Sequence, residues 1–325
     1  MEAIKYVKNK LLFERFNKCK TSEDYRVFSE RLYNKDGIAN YFGFWTKSNE
    51  CYITELKKNN PDGCYLNQLD FMITEKCSLR CAECLNLMQY YDKPRNYDND
   101  MMTHMLDIID EVFDEVTELR ILGGEPFMNP NIYDLCQYAA KKDHIKNVII
   151  FTNATIMPTE EGIEKIDKNK SIFYISNYGV ERQLVNKVSS MLKKSGIKTY
   201  VADFRNEKWI KHSEIKEVLI PCEKRNELFL NCEGRICPVV SENKLYLCEF
   251  IANAEHLGAV PESDNNCILL HDNCAKLKEE IKCYINSEIA PDACRFCTRL
   301  LKEKNKQLVE PGVQLSKPLT YTKYV

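Results

Sequence analysis

Apolar residues recur near helical spacing through the start of the chain, at Ile4, Val7, Leu11, Leu12 and Phe16 and again at Tyr25, Phe28 and Leu32. This predicts a helical preface over residues 1–66, closed by the turn Asn60-Pro61-Asp62-Gly63. The period then changes to two: Leu69, Phe71 and Ile73 alternate with Asp70, Met72 and Thr74, which predicts a strand over 66–74. Helical spacing returns with Met102, Met105, Leu106, Ile109, Val112, Phe113 and Val116 over 99–116, and 119–122 reads as the next strand. The alternation continues with a helix over 132–142, a strand at 148–152, a helix at 160–166, a strand at 172–176, a helix over 181–195 and a strand at 198–202. Such a pattern predicts parallel strands joined by crossover helices, with functional residues gathered at the carboxyl ends of the strands.

From about residue 221 the alternation stops. Two short strands, 237–240 and 245–248, are joined by the polar turn Ser241-Glu242-Asn243-Lys244, and a helix follows over 275–286. Residues 310–325 lack periodicity and contain two prolines, which suits a wrapping tail. There is no internal repeat or low-complexity segment. The expected division is a preface at 1–66, an α/β body at 67–220, an extension at 221–309 and a tail at 310–325.

Composition narrows the function. A formal charge of -2 with 44% apolar residues excludes a polyanion binder, so no nucleic-acid partner is expected. The amino terminus is charged throughout, and no run approaches the roughly 18 apolar residues of a membrane span, so no membrane partner is expected and the chain is placed in the cytoplasm. In that reducing setting 16 cysteines point to metal or iron-sulfur ligands, or to small buried hydrophobes, and away from a disulfide framework.

Cys77, Cys81 and Cys84 form a C-x3-C-x2-C run on the loop leaving the first strand. Three thiolates on a four-iron cluster leave one iron open to a chelating amino and carboxylate pair. The bland readings are a zinc site lacking a fourth ligand, or three incidental thiols. At the end of the second strand stands Gly123-Gly124-Glu125-Pro126. Its glycines let the backbone come close to a ligand, and its carboxylate can accept from an ammonium group. Taken alone, it is equally a tight turn with an exposed glutamate.

Together these two motifs resemble the radical S-adenosylmethionine (radical SAM) superfamily. The resemblance implies a partial (β/α)6 barrel over about residues 66–205, a [4Fe-4S] cluster on Cys77, Cys81 and Cys84, and contact between the methionyl amine of SAM and the segment Gly123, Gly124, Glu125 and Pro126. It further implies SAM contacts at Thr152-Asn153, closing the third strand, and at Ser176-Asn177, closing the fourth; both pairs are also ordinary turn residues. Glu83 stands where the family often has an aromatic residue, and its side chain is expected to face solvent. The implied chemistry is one-electron cleavage of SAM to a 5'-deoxyadenosyl radical that takes hydrogen from a substrate C–H bond, with a reductant such as flavodoxin or ferredoxin as partner.

Cys232, Cys248, Cys294 and Cys297 follow the spacing C-x15-C-x45-C-x2-C. This resembles the twitch extension, a short relative of the SPASM domain, which implies a second, auxiliary [4Fe-4S] cluster. A four-cysteine zinc site is the competitor. Cys237 and Cys222 are spare thiols beside this set, candidates for hydrogen-atom donation or inert buried groups. Asp203 and Tyr178, near strand ends, are candidates for substrate contact or proton exchange. Tyr90-Tyr91 wall the site or pack in the core. His144, His212, His256 and His271 are isolated from one another and carry no assigned role. The wider look of ITEKCSLRCAECLNLMQYY, LRILGGEPFMNP and ISNYG resembles radical SAM proteins of surface-polysaccharide synthesis. It implies a carbohydrate or nucleotide-sugar substrate, to be dehydrogenated, epimerised or dehydrated. The alternatives are maturation of a ribosomally made peptide and a non-catalytic metal-binding scaffold.

Overall fold

In a computed structural model of the protein, residues 11–211, 213–301 and 307–324 are described. Ile4, Val7 and His212 lie outside them. The preface contains helices α1 (Ser22–Arg31) and α2 (Ile38–Asn59), joined by a π-helical turn. A capping box starts α1: Thr21 accepts from the Asp24 amide while the Asp24 carboxylate takes the Thr21 N–H.

Five strands of the alternating region, β1 (Tyr65–Met72), β2 (Glu115–Leu122), β3 (Ile145–Thr152), β4 (Ser171–Asn177) and β5 (Lys198–Asp203), run parallel in spatial order 5-4-3-2-1. Their crossovers are α3 (Asn99–Val112), α4 (Ile132–Ala140), α5 (Glu160–Lys165) and α6 (Val185–Lys194). The short β6 (Trp209–Ile210) leaves this sheet and pairs with β10 (Leu308–Val309). Helix α7 (Cys222–Leu230) follows, and the next parallel strand, β7 (Val239–Ser241), stands at the other side, against β1. The sheet ends in antiparallel β8 (Lys244–Tyr246) and β9 (Cys267–Leu269), so its edges are β5 and β9 and it does not close on itself. The α/β class read from the sequence holds, with six parallel strands in one open sheet. Helices α8 (Glu249–His256) and α9 (Cys274–Ile285) pack around β7–β9. No helix among the described residues is long and apolar enough to cross a membrane.

The two faces of the sheet differ in chemistry. Leu69, Phe71, Leu119, Ile121, Val148, Ile150, Phe173 and Ile175 face the crossover helices in the main core. On the other face, Ile149 and Ile172 pack against Phe28, Leu32, Phe42 and Trp45, so the described part of the preface covers that face over β3–β5. Phe42 stacks on Tyr200 with centroids 5.1 Å apart. The register continues that face onto β1 and β2 as Gln68, Asp70, Glu118 and Arg120, where it turns polar while staying largely buried. Asn49 of α2 donates to Glu118 at 3.2 Å, and Glu118 accepts from the Arg120 Nε at 3.0 Å. These buried acids interrupt the apolar run, which is why the sequence places Val116 at a helix end while β2 in fact begins at Glu115.

Candidate active site

The loop after β1 carries Cys77, Cys81 and Cys84; Cys81 is buried and the other two partly so. Burial pushes all three thiols above the usual range, Cys84 to about 12; Cys77 also feels the charges of Cys84 and Cys81, and Cys84 that of Cys81. The three sulfurs thus converge, and a metal bound there must displace their protons. Among the described residues no three His, Cys, Asp or Glu stand close enough to hold a single ion. A four-iron cluster is several ångströms across, so its ligands stand farther apart than those of one ion.

Behind this loop the glycines of the second motif pack flush. The Gly124 amide donates to the Thr74 carbonyl at 3.0 Å and the Glu125 amide to the Lys76 carbonyl at 2.8 Å. Asn86, just past Cys84, donates to the Gly123 carbonyl at 3.0 Å. A Cβ on Gly124 would fall 2.2 Å from the Lys76 carbonyl oxygen, and one on Gly123 2.2 Å from that of Thr74. Glycine is required here by close approach.

Glu125 departs from the exposed-turn reading, since it is fully buried. Its carboxyl accepts from the Thr152 hydroxyl at 2.8 Å, the Asn153 amide at 2.7 Å and the Phe127 amide at 3.3 Å. Burial holds it at about 7. It stitches the end of β2 to that of β3, while Pro126 opens a short 3-10 turn. Asn153 points its amide at Cys77 Sγ, 3.7 Å away, and at Ser78 Oγ, 3.3 Å. Next to it, Gln183 donates to the carbonyls of both Asn153, at 2.6 Å, and Ser176, at 2.8 Å, and so joins the ends of β3 and β4. Asn177 caps the Gly179 amide at 3.2 Å. The strand ends therefore form one hydrogen-bonded rim beside the three cysteines. Gln183 carries no motif that would single it out in the sequence.

The remaining predicted residues fall in different places. Cys232, Cys248, Cys294 and Cys297 come together from three stretches of chain: burial first, and the charges of neighbouring cysteines besides, push up the thiols of Cys248, Cys294 and Cys297, the last to about 11. Arg299 lies beside them and donates to Glu249 at 2.8 Å. Cys237 faces β1, where the Gln68 amide meets its sulfur at 2.7 Å, whereas Cys222 is exposed at the start of α7. Asp203 is exposed at the end of β5 and is held by Arg205 at 2.7 Å, which lowers its pKa. Tyr178 is stacked on Phe204 at 5.5 Å and meets Trp209 edge-on at 5.3 Å, close enough to Cys81 and Cys84 to feel their charge. Tyr90 and Tyr91 are core residues, the latter donating to Asn253 at 2.9 Å. Glu83 does not point freely into solvent; it accepts from the Ser213 hydroxyl at 2.8 Å and ties the cysteine loop to the segment after β6. His256 is buried against Tyr97, 3.1 Å away, whereas His144 and His271 pair with carboxylates nearer the surface.

On the inner face, burial pushes the Asp70 carboxyl up to about 7 although Arg120 pulls it down. Its Oδ1 has no hydrogen-bond partner. A carboxyl raised in the folded state favours the protonated form, so its contribution to stability is complete below the unfolded pKa and is lost as pH rises through about 7. Relative to Asp70→Asn, the wild type is expected to lose about 3 kcal/mol between pH 5 and 8 in urea denaturation. Parallel pH curves would contradict the burial of an ionising carboxyl.

With this geometry in hand, the comparisons with known proteins fall into place. Residues 71–201 match the family model described as "Radical SAM superfamily". The segment that holds the three cysteines and the Gly-Gly-Glu turn is thus a radical SAM domain, and enzymes with that domain work with a [4Fe-4S] cluster and SAM. Among curated relatives it is similar to a GTP 3',8-cyclase of Clostridium botulinum (strain Okra / Type B1), 25% identical over 264 residues, covering 72% of this chain and 76% of that protein. It is also similar to the antilisterial bacteriocin subtilosin biosynthesis protein AlbA of Bacillus subtilis, 33% identical over 109 residues, 33% of this chain and 23% of that one. Among solved structures, BtrN in complex with AdoMet and 2-DOIA aligns with TM-score 0.46 and 13% identity over 78% of this chain and 97% of its own.

Proposed function

We propose that this enzyme takes a hydrogen atom from a C–H bond of a carbohydrate or nucleotide sugar, so as to dehydrogenate, epimerise or dehydrate it. In this reading Cys77, Cys81 and Cys84 hold the SAM-binding cluster, and Gly123–Pro126, Thr152-Asn153 and Ser176-Asn177 frame SAM at the strand ends. Cys232, Cys248, Cys294 and Cys297 hold an auxiliary [4Fe-4S] cluster, and the reductant is a protein such as flavodoxin or ferredoxin. Bound there, the cluster and SAM supply a 5'-deoxyadenosyl radical. The body at 67–220 carries the SAM chemistry and the extension at 221–309 the second cluster, while the preface at 1–66 plays a packing role.

The observation that carries the sugar reading is the buried polar surface on β1 and β2. Gln68 and Arg120 line a cavity of about 490 Å³ together with Lys57 of α2 and Arg235. That volume is in the small-molecule range. It offers donors and acceptors for hydroxyls and cations for a phosphate. Beside it, burial and the nearby carboxylates push the Cys237 thiol up to about 12, so its sulfur carries hydrogen at neutral pH. Given up to a substrate radical, that hydrogen leaves a thiyl, restored by one electron from the reductant and one proton from solvent. The AlbA likeness favours a peptide as the second reading.

Deuterium transfer tests the choice. Carbon-deuterated nucleotide sugars are expected to deliver deuterium into 5'-deoxyadenosine, and Cys237→Ala to leave that transfer intact while lowering epimerised product at least tenfold. Transfer from a peptide and from none of a panel of sugars would overturn the sugar reading.

A further inference from the structure

We infer that Gln314 is a positioning residue for the SAM-cleaving cluster, carried to it by a strap of chain laid over the cysteine loop. The inference rests on the reading that Cys81 holds iron.

The strap begins at β10, pinned to β6, and passes Tyr178 at Gly312, where a side chain would come within 2.7 Å of the Tyr178 Cβ. It then runs antiparallel to the cysteine loop. The Ala82 amide donates to the Val313 carbonyl at 2.8 Å and the Leu315 amide to the Arg80 carbonyl at 2.9 Å, with Cys81 opposite Gln314. Farther along, the Leu319 amide donates to the Gln89 carbonyl at 2.8 Å, the Tyr321 hydroxyl to the Leu257 carbonyl at 3.0 Å and the Tyr324 amide to the Gly258 carbonyl at 2.7 Å. Tyr324 also meets Phe296 edge-on at 5.1 Å, between Cys294 and Cys297 in sequence. The strap is thus tied to the cysteine loop and to the region of the second cysteine set.

The side chain of Gln314 does something its backbone does not require. Its Oε1 accepts from the Arg80 amide at 2.8 Å and from Arg182 at 3.4 Å. Those two donors fix the amide's orientation, because the flipped amide would set N–H against N–H. Its Nε2 then donates to the Gly312 carbonyl at 2.7 Å and to Cys81 Sγ at 3.2 Å. The Arg182 charge also acts on Cys81. A hydrogen bond to a ligand sulfur favours the more negative, reduced cluster and so raises its reduction potential. Gln314 therefore makes the SAM-cleaving cluster easier to reduce, and Arg182 assists.

The test uses the full chain, anaerobically reconstituted, in Gln314→Leu, Gln314→Glu and the strap control Val313→Ala. All three keep the backbone pairing and are expected to load iron as the wild type does. Redox titration followed by electron paramagnetic resonance should give a lower midpoint for Gln314→Leu, a still lower one for Gln314→Glu, which sets a carboxylate against the sulfur, and no change for Val313→Ala. An unchanged midpoint in both Gln314 variants, or an equal fall in Val313→Ala, would overturn the inference. Cys81→Ala separates the two layers: if it retains the SAM-binding cluster, the ligand assignment fails and not merely the role of Gln314.

Discussion

Replacing Cys77, Cys81 and Cys84 together by alanine is expected to reduce SAM cleavage to background while leaving the chain folded. The sulfurs sit on a loop whose course is fixed from outside the triad, by Gly124 and Glu125 on one side and the strap on the other. On the proposed reading, losing them removes the cluster's ligands without removing the scaffold. With two clusters the wild type should hold about eight irons and the triple variant about four. The complementary variant, with Cys232, Cys248, Cys294 and Cys297 replaced, should also hold about four. Iron near zero in the triple variant, with zinc retained, would show that the second set is a zinc site.

The other large effect is expected at Gly124. Alanine there would place a methyl group 2.2 Å from the Lys76 carbonyl oxygen and 2.7 Å from the Cys77 Cβ, both on the main path of the cysteine loop. Backbone cannot yield as a flexible side-chain tip can, so Cys77 must move. The cost should exceed about 3 kcal/mol in urea denaturation, with SAM affinity and iron content both falling. An unfolding midpoint and SAM affinity like those of the wild type would show that the loop is not held against β2 in this way.

The parts of this molecule that were legible in sequence are those whose signal is local. Leu69, Phe71 and Ile73 alternate, the three cysteines follow within one loop, and two glycines before Glu125 mark a place where no side chain fits. The residues that escaped act across distance. Gln183 and Gln314 bond to carbonyls and a sulfur brought near only by folding, and glutamine carries no spacing rule. Helix α8 was missed because Glu249 to Ala254 are buried all round, which erases the amphipathic period. Glu115, Glu118 and Arg120 concealed half of β2 because a buried charged face reads as surface. The tail was expected to wrap, but not that it would pair with the cysteine loop, since Gly312-Val313-Gln314 has no strand pattern of its own. Glu125 shows the limit of motif reading: its place was evident, whereas its carboxyl proved to be spent largely on Thr152, Asn153 and Phe127.

The most direct measurement is anaerobic reconstitution of the full chain with iron and sulfide, followed by SAM and a strong reductant. The account predicts reductive cleavage, with 5'-deoxyadenosine and methionine formed in equal amounts and lost in Cys77→Ala. Tightly bound zinc with intact SAM, or cleavage undiminished in Cys77→Ala, would contradict it.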